Sequence, residues 1–175
     1  IRRMVKEDMV KFDGTKLFPP RFAYTIRYNL SPNEQRLYDT VTDYVRNQFN
    51  KAERLSEGRR NVIGFALTVL QRRLASSPEA IFSSLVNRRK RLEQRIEEAK
   101  IAGTDDILHD KDGLYTLTED EIQEINEDDL ESERFDQEQD VVDRASAAQN
   151  IPELEDEIRI LDRLCDVAKI VRDSE

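Results

Sequence analysis

The run from Asn61 to Ala75, NVIGFALTVLQRRLA, constrains this chain more than any other stretch because it is the most apolar segment of a very polar sequence. Val62, Ile63, Phe65, Ala66, Val69, Leu70 and Leu74 leave almost no polar face before Arg72 and Arg73. A helix here has to be covered on most sides, which makes it the natural core. Ser76-Ser77-Pro78-Glu79 then closes that helix and opens another. Ser77 is the expected N-cap, Pro78 suits the first helical position and Glu79 meets the positive helix end.

Little else is available to cover such a helix. The 175 residues are 38% hydrophobic and 37% charged, a thin core for that length, which predicts one compact and one extended part. Charge is also divided: residues 1–100 carry 21 Lys and Arg against 12 Asp and Glu, whereas residues 101–175 carry 7 against 25. The acidic pI of about 4.9 therefore hides a basic half. A single cysteine, Cys165, rules out a disulfide framework or a paired-cysteine zinc site and fits a reducing, cytoplasmic setting. No run approaches the roughly 20 apolar residues of a membrane span, and Ile1-Arg2-Arg3-Met4 is not followed by an apolar signal region. A start at Ile1 rather than methionine suggests a piece of a longer chain.

In chain order, Ile1, Met4, Val5 and Met9 have the spacing of a helix end, and Phe12-Asp13-Gly14-Thr15 and Phe18-Pro19-Pro20 each break the chain. Arg21 to Leu30 alternates, with Phe22, Tyr24, Ile26 and Tyr28 on one side, which predicts one strand. A lone strand leaves backbone groups unpaired, so it requires a neighbour elsewhere. Ser31-Pro32-Asn33-Glu34 is a helix start with a capping box, followed by Leu37, Tyr38, Val41, Tyr44, Val45 and Phe49 at helical spacing to about Arg54. From Pro78 to about Ile101, a long lever helix carries the narrow stripe Ile81, Leu85, Leu92, Ile96 and Ala99, wide enough for one partner. Pro152 to Arg172 offers that partner, with Leu154, Ile158, Leu161, Leu164 or Cys165, Ala168 and Val171, as an antiparallel return helix. Between the two, Gly103 to Gln149 is acidic and weakly apolar, with one capping box at Thr118 to Glu121, predicting a short helix in otherwise mobile chain.

Motifs for chemistry are missing: there is no GxxxxGK[ST] loop, no HExxH and no cysteine pair. His109 reads as a solvated loop residue. Asp105, Asp106, Asp110 and Asp112 lack the calcium-loop spacing, and Cys165 lies on an apolar stripe. No metal or cofactor is expected in this chain, and it is not expected to be an enzyme alone. The candidate binding groups are basic. Arg72, Arg73, Arg88, Arg89, Lys90 and Arg91 could meet nucleic-acid phosphates. Alternatively, the lever's arginines pair with the acidic return helix or solvate a surface, and Arg72 and Arg73 satisfy the carbonyl end of their helix.

Arg2-Arg3-Met4-Val5-Lys6, Leu17-Phe18-Pro19-Pro20-Arg21, the strand, Leu30-Ser31-Pro32-Asn33-Glu34-Gln35-Arg36-Leu37-Tyr38 and Leu70-Gln71-Arg72-Arg73-Leu74-Ala75-Ser76-Ser77-Pro78 succeed one another in an informative order. That order resembles Swi/Snf-type helicase-like ATPases, bacterial RapA-like members in particular, over residues 1 to about 95. The resemblance implies a connector between two RecA-like lobes of an ATP-driven nucleic-acid translocase. Arg2, Arg3 and Lys6 would support lobe geometry, and Arg72 and Arg73 would lie beside the nucleic-acid track. The nucleotide-binding lysine, the Asp-Glu box and the arginine fingers of such a motor fall outside this chain; ATP and Mg2+ would bind elsewhere in the parent.

The expected architecture is mainly α: a helical bundle with a long antiparallel helical protrusion and one isolated or edge strand near 21–30. Residues 1–30 would end the first lobe and supply linker and strand. Residues 31–101 would form the helical core and lever, 102–149 an acidic mobile insertion, and 150–175 the return helix toward the second lobe. Expected partners are the parent's remaining motor lobes and double-stranded DNA, with no membrane; the isolated chain could also form a homodimer. The rival reading is a coiled-coil interaction module that docks a protein.

Overall fold

A computed structural model describes residues 9–18, 22, 24, 29–102, 118, 120–122 and 132–174. Among them, five long helices carry the fold: α1 (Pro32–Ala52), α2 (Glu57–Ser76), α3 (Pro78–Ala102), α4 (Ser132–Arg144) and α5 (Ile151–Arg172). Their starts are chemically explicit. The Ser31 backbone N–H donates to the Glu34 carboxylate at 2.6 Å while the Glu34 N–H donates to Ser31 Oγ, so the expected capping box closes. Ser77, extended at φ −165°, ends α2 and also accepts from the Ala80 N–H to start α3. Asn150 accepts from the Glu153 N–H at 2.9 Å, with Pro152 in the first turn of α5.

Helix α2 begins at Glu57, earlier than the apolar run itself, and takes Gly58 into its first turn. Val62, Ile63, Phe65, Ala66, Leu67, Val69 and Leu70 are all buried, on nearly every side of the helix. The cover comes from α1, α3 and α4, which pack around it. Helix α1 also packs on α5, and α5 on α3, so α1, α2, α3 and α5 close into a four-helix ring with α4 laid against α2 and α3. The stripe Ile81, Leu85, Leu92, Ile96 and Ala99 is buried, facing a partner as its spacing predicts. Ion pairs along that interface run in opposite chain order, Glu79 to Arg172, Arg89 to Asp162 and Lys100 to Glu155, so α3 and α5 lie antiparallel. At one end the Arg172 guanidinium also lies 4.2 Å over the Phe82 ring.

Two expectations need revision or fall elsewhere. Residues 132–148 are not mobile chain: α4 is a helix, and Val141, Val142, Ala145, Ala147 and Ala148 join the core. Fold and core are therefore shared between the basic and acidic halves. The capping box at Thr118 is present, with the Thr118 N–H and hydroxyl both donating to Glu121. Most of the strand at 21–30 lies outside the described residues; Phe22, Tyr24, Asn29 and Leu30 are described and are not in a strand, and the described residues contain no sheet. Within them, an isolated antiparallel bridge, Val10 to Lys16, spans a turn in which Gly14 takes φ +81° and Asp13 accepts from the Thr15 N–H. No helix among the described residues is long and apolar enough to cross a membrane.

Candidate functional site: a buried polar hub and an arginine cradle

Three of the core stripes are interrupted by a polar residue, and the interruptions meet. Helix α3 presents 81, 85, 88, 92, 96 and 99 inward, which puts Arg88 between Leu85 and Leu92. Helix α5 presents Leu154, Glu157, Leu161, Leu164, Ala168 and Val171, and α1 presents Leu37, Val41, Tyr44, Gln48 and Ala52. Arg88 Nη2 donates to Glu157 Oε1 at 2.9 Å, Arg88 Nε to the Tyr44 hydroxyl at 2.9 Å, and that hydroxyl to Glu157 Oε1 at 2.7 Å. Ser146 Oγ donates to the other carboxylate oxygen, and Arg88 Nη1 to the Val142 carbonyl. Arg88 and Glu157 are 0% and 1% exposed.

Such a pair stays ionised only if every bond it lost to water is replaced. Burial alone pulls the Arg88 guanidinium down, but the charges and bonds of Tyr44 and Glu157 outweigh it and leave its pKa raised. Burial, opposed by Arg88 and reinforced by Glu157, pushes the Tyr44 phenol up. The phenol is therefore a neutral donor and acceptor at physiological pH.

A second constellation surrounds residues 138–148. Arg72 and Arg73 reach the two oxygens of Glu138 at 2.7 and 2.9 Å, and Arg73 also donates to Ser84 Oγ and Gln139 Oε1. Arg59 Nη2 donates to the Ala148 carbonyl at 2.7 Å and the Ser146 carbonyl at 3.3 Å. Arg95 makes a longer, 3.5 Å contact with the Arg144 carbonyl. With Arg88 on Val142, five arginines of α2 and α3 hold one segment of chain, largely through its backbone oxygens.

The basic candidates thus separate. Arg88 faces the interior and cannot meet a phosphate in this fold, a correction imposed by its position on the α3 stripe. Arg89, 31% exposed, pairs with Asp162 of the acidic return helix at 2.8 Å, the alternative that its sequence allows. Arg73 is 12% exposed and Arg72 46%, both engaged with Glu138 rather than with the end of their own helix alone. Lys90 is exposed, and Arg91, 36% exposed, lies beside Gln94 and Glu98. Arg2, Arg3, Lys6, His109, Asp105, Asp106, Asp110 and Asp112 lie outside the described residues.

Cys165 is buried, and burial pushes its thiol up to about 11, which keeps it protonated and unreactive. Among the described residues no group of three or more His, Cys, Asp or Glu side chains is placed to hold a metal ion. Tyr44, Glu157, Arg59 and Glu138 are the residues that sequence reading passes over as polar contacts. The heptad steps 85-88-92 and 154-157-161 carried the signal for the central pair, whereas nothing local marks Arg59 or Glu138. Comparison with protein families, curated proteins and solved structures finds no match for this chain.

Proposed function

We propose that this chain is the helical connector between the two motor lobes of a Swi/Snf-type, ATP-dependent DNA translocase, with a mechanical role and no catalysis of its own. The observation that carries the reading is the Tyr44–Arg88–Glu157 hub at the centre of the four-helix ring. A connector that transmits lobe movement has to be stiff. Three helices joined by charge-assisted bonds in a dry core have one register and resist sliding. The motif order over residues 1 to about 95 supplies the family, and the absence of nucleotide-binding motifs agrees with a part that works between lobes.

In this reading the bundle that contains the antiparallel α3–α5 pair protrudes from the motor lobes, and the alternating residues 21–30 pair with the sheet of the first lobe. Arg2, Arg3 and Lys6 support lobe geometry. ATP and Mg2+ are bound by the parent outside this chain, in the cytoplasm, and double-stranded DNA is the track. Contact with phosphates falls to Lys90, Arg91 and the half-exposed Arg72, since Arg88 is enclosed. The rival, a protein-docking module, draws on the exposed aromatic residues Phe12, Phe22 and Tyr24.

The test is nucleic-acid-stimulated ATP hydrolysis and duplex movement by the full parent protein, wild type against Glu157→Ala. Retained basal turnover with movement lost or reduced at least about tenfold supports the connector. A parent without ATPase activity, or one in which movement per ATP is unchanged although the hub is broken, rejects it.

A further inference from the structure

The ring of α1, α2, α3 and α5 is complete without α4, which packs against α2 and α3 alone among the principal helix contacts. The segment after α4 is unusual for a bundle interior: Ala145-Ser146-Ala147-Ala148 has no regular secondary structure, yet its four residues are 0%, 0%, 2% and 3% exposed. Buried backbone outside helices and sheets needs partners from side chains. Here the Ala148 N–H donates to Ser146 Oγ, and Arg59 takes the carbonyls of Ser146 and Ala148. Upstream, Arg72 and Arg73 clasp Glu138, which is 4% exposed.

We infer that residues 136–148, the greater part of α4 with the strap, dock as a separate cooperative unit, a clasp that opens from the α2–α3 groove while the four-helix ring stays closed. The attachment is built from a carboxylate and backbone carbonyls bonded to guanidinium groups, all of which water can solvate once the clasp lifts. Opening also admits water to the strap side of the desolvated Arg88–Glu157 pair through the loss of Ser146 and Val142. Hydration of those charges offsets part of the lost packing of Val141, Val142 and the alanines, an offset that an all-apolar interface lacks. The ring helices have no such route, because their shared stripes are leucine, isoleucine and valine for most of their length. When open, the groove presents an apolar floor rimmed by Arg59, Arg72, Arg73 and Arg95, a surface suited to an acidic helix, and the occupant it holds is the chain's own 136–148.

The experiment is native-state hydrogen exchange on the full chain, monitored by mass spectrometry across low, sub-denaturing urea. In the wild type, peptides covering 136–148 exchange through an opening with weaker protection and a smaller urea dependence than peptides covering 37–48 and 62–70. Glu138→Gln speeds exchange of 136–148 by about tenfold or more and leaves 37–48 unchanged, because one charge-assisted clasp is removed. The inference is overturned if all these peptides share one opening in the wild type, or if Glu138→Gln accelerates them all equally. Should the variant not fold, the wild-type comparison alone decides.

Discussion

Arg88 shows how a single position on a helix decides what a residue does. In sequence it belongs to the basic cluster Arg88-Arg89-Lys90-Arg91, and composition alone turns that cluster toward solvent. Its neighbours do face outward to differing degrees, but Arg88 occurs three residues after Leu85 and four before Leu92, so the helical period carries it inward. Glu157 repeats the case between Leu154 and Leu161. Glu157→Ala leaves Arg88 charged and enclosed, and is expected to cost about 3–5 kcal/mol. The triple change Tyr44→Phe, Arg88→Met and Glu157→Leu removes both charges and the phenol together and should cost far less, or stabilise the fold. Urea denaturation of the two variants checks this; equal losses would mean that the hub contributes net stability rather than register. Both variants bear on the connector reading, since only the second keeps a packed core without the polar lock.

At the scale of elements, the helices with marked apolar runs or stripes were readable and the one with little apolar material was not. Ser31, Ser77 and Asn150 sit at the starts of α1, α3 and α5, and each accepts the bond that its type and position imply. Lever and return helix pair as their stripes require. Leu85, 0% exposed within that stripe, should cost about 2–5 kcal/mol when changed to alanine. Ile101, 87% exposed near the end of the same helix, should change stability by no more than about 0.5 kcal/mol when changed to alanine. Thermal melts of the pair test whether the interface ends where burial says it does. Helix α4 is different: SERFDQEQDVVDR contains little apolar material. Its place comes from Glu138, Val141 and Val142, which have partners only because α2 and α3 lie alongside. Acidic composition predicted loose chain there, and long-range arginines reversed that outcome.

For the molecule as a whole, closure of the ring depends on the last helix. A chain ending at Gln149 would lose Leu154, Leu161, Leu164, Ala168 and Val171 from the core and leave Arg88 without Glu157. It is expected to retain helical circular dichroism while losing its sharp unfolding transition and binding a hydrophobic dye. A cooperative transition in that truncated chain would show that α1, α2 and α3 suffice. By itself the sequence determined the helical class, four of the five principal helices to within a few residues, the antiparallel relation of α3 and α5, and the central place of the apolar run. Those arise from periodicity, capping and hydrophobicity, which act over a few neighbouring residues. Tertiary structure alone decided that α4 belongs to the core, that the strap lies inside, and that Arg59, Arg73 and Arg88 spend their charge on this chain's own oxygens. Those contacts join residues separated by more than forty positions, and a guanidinium has no local property that tells an external phosphate from an internal carboxylate.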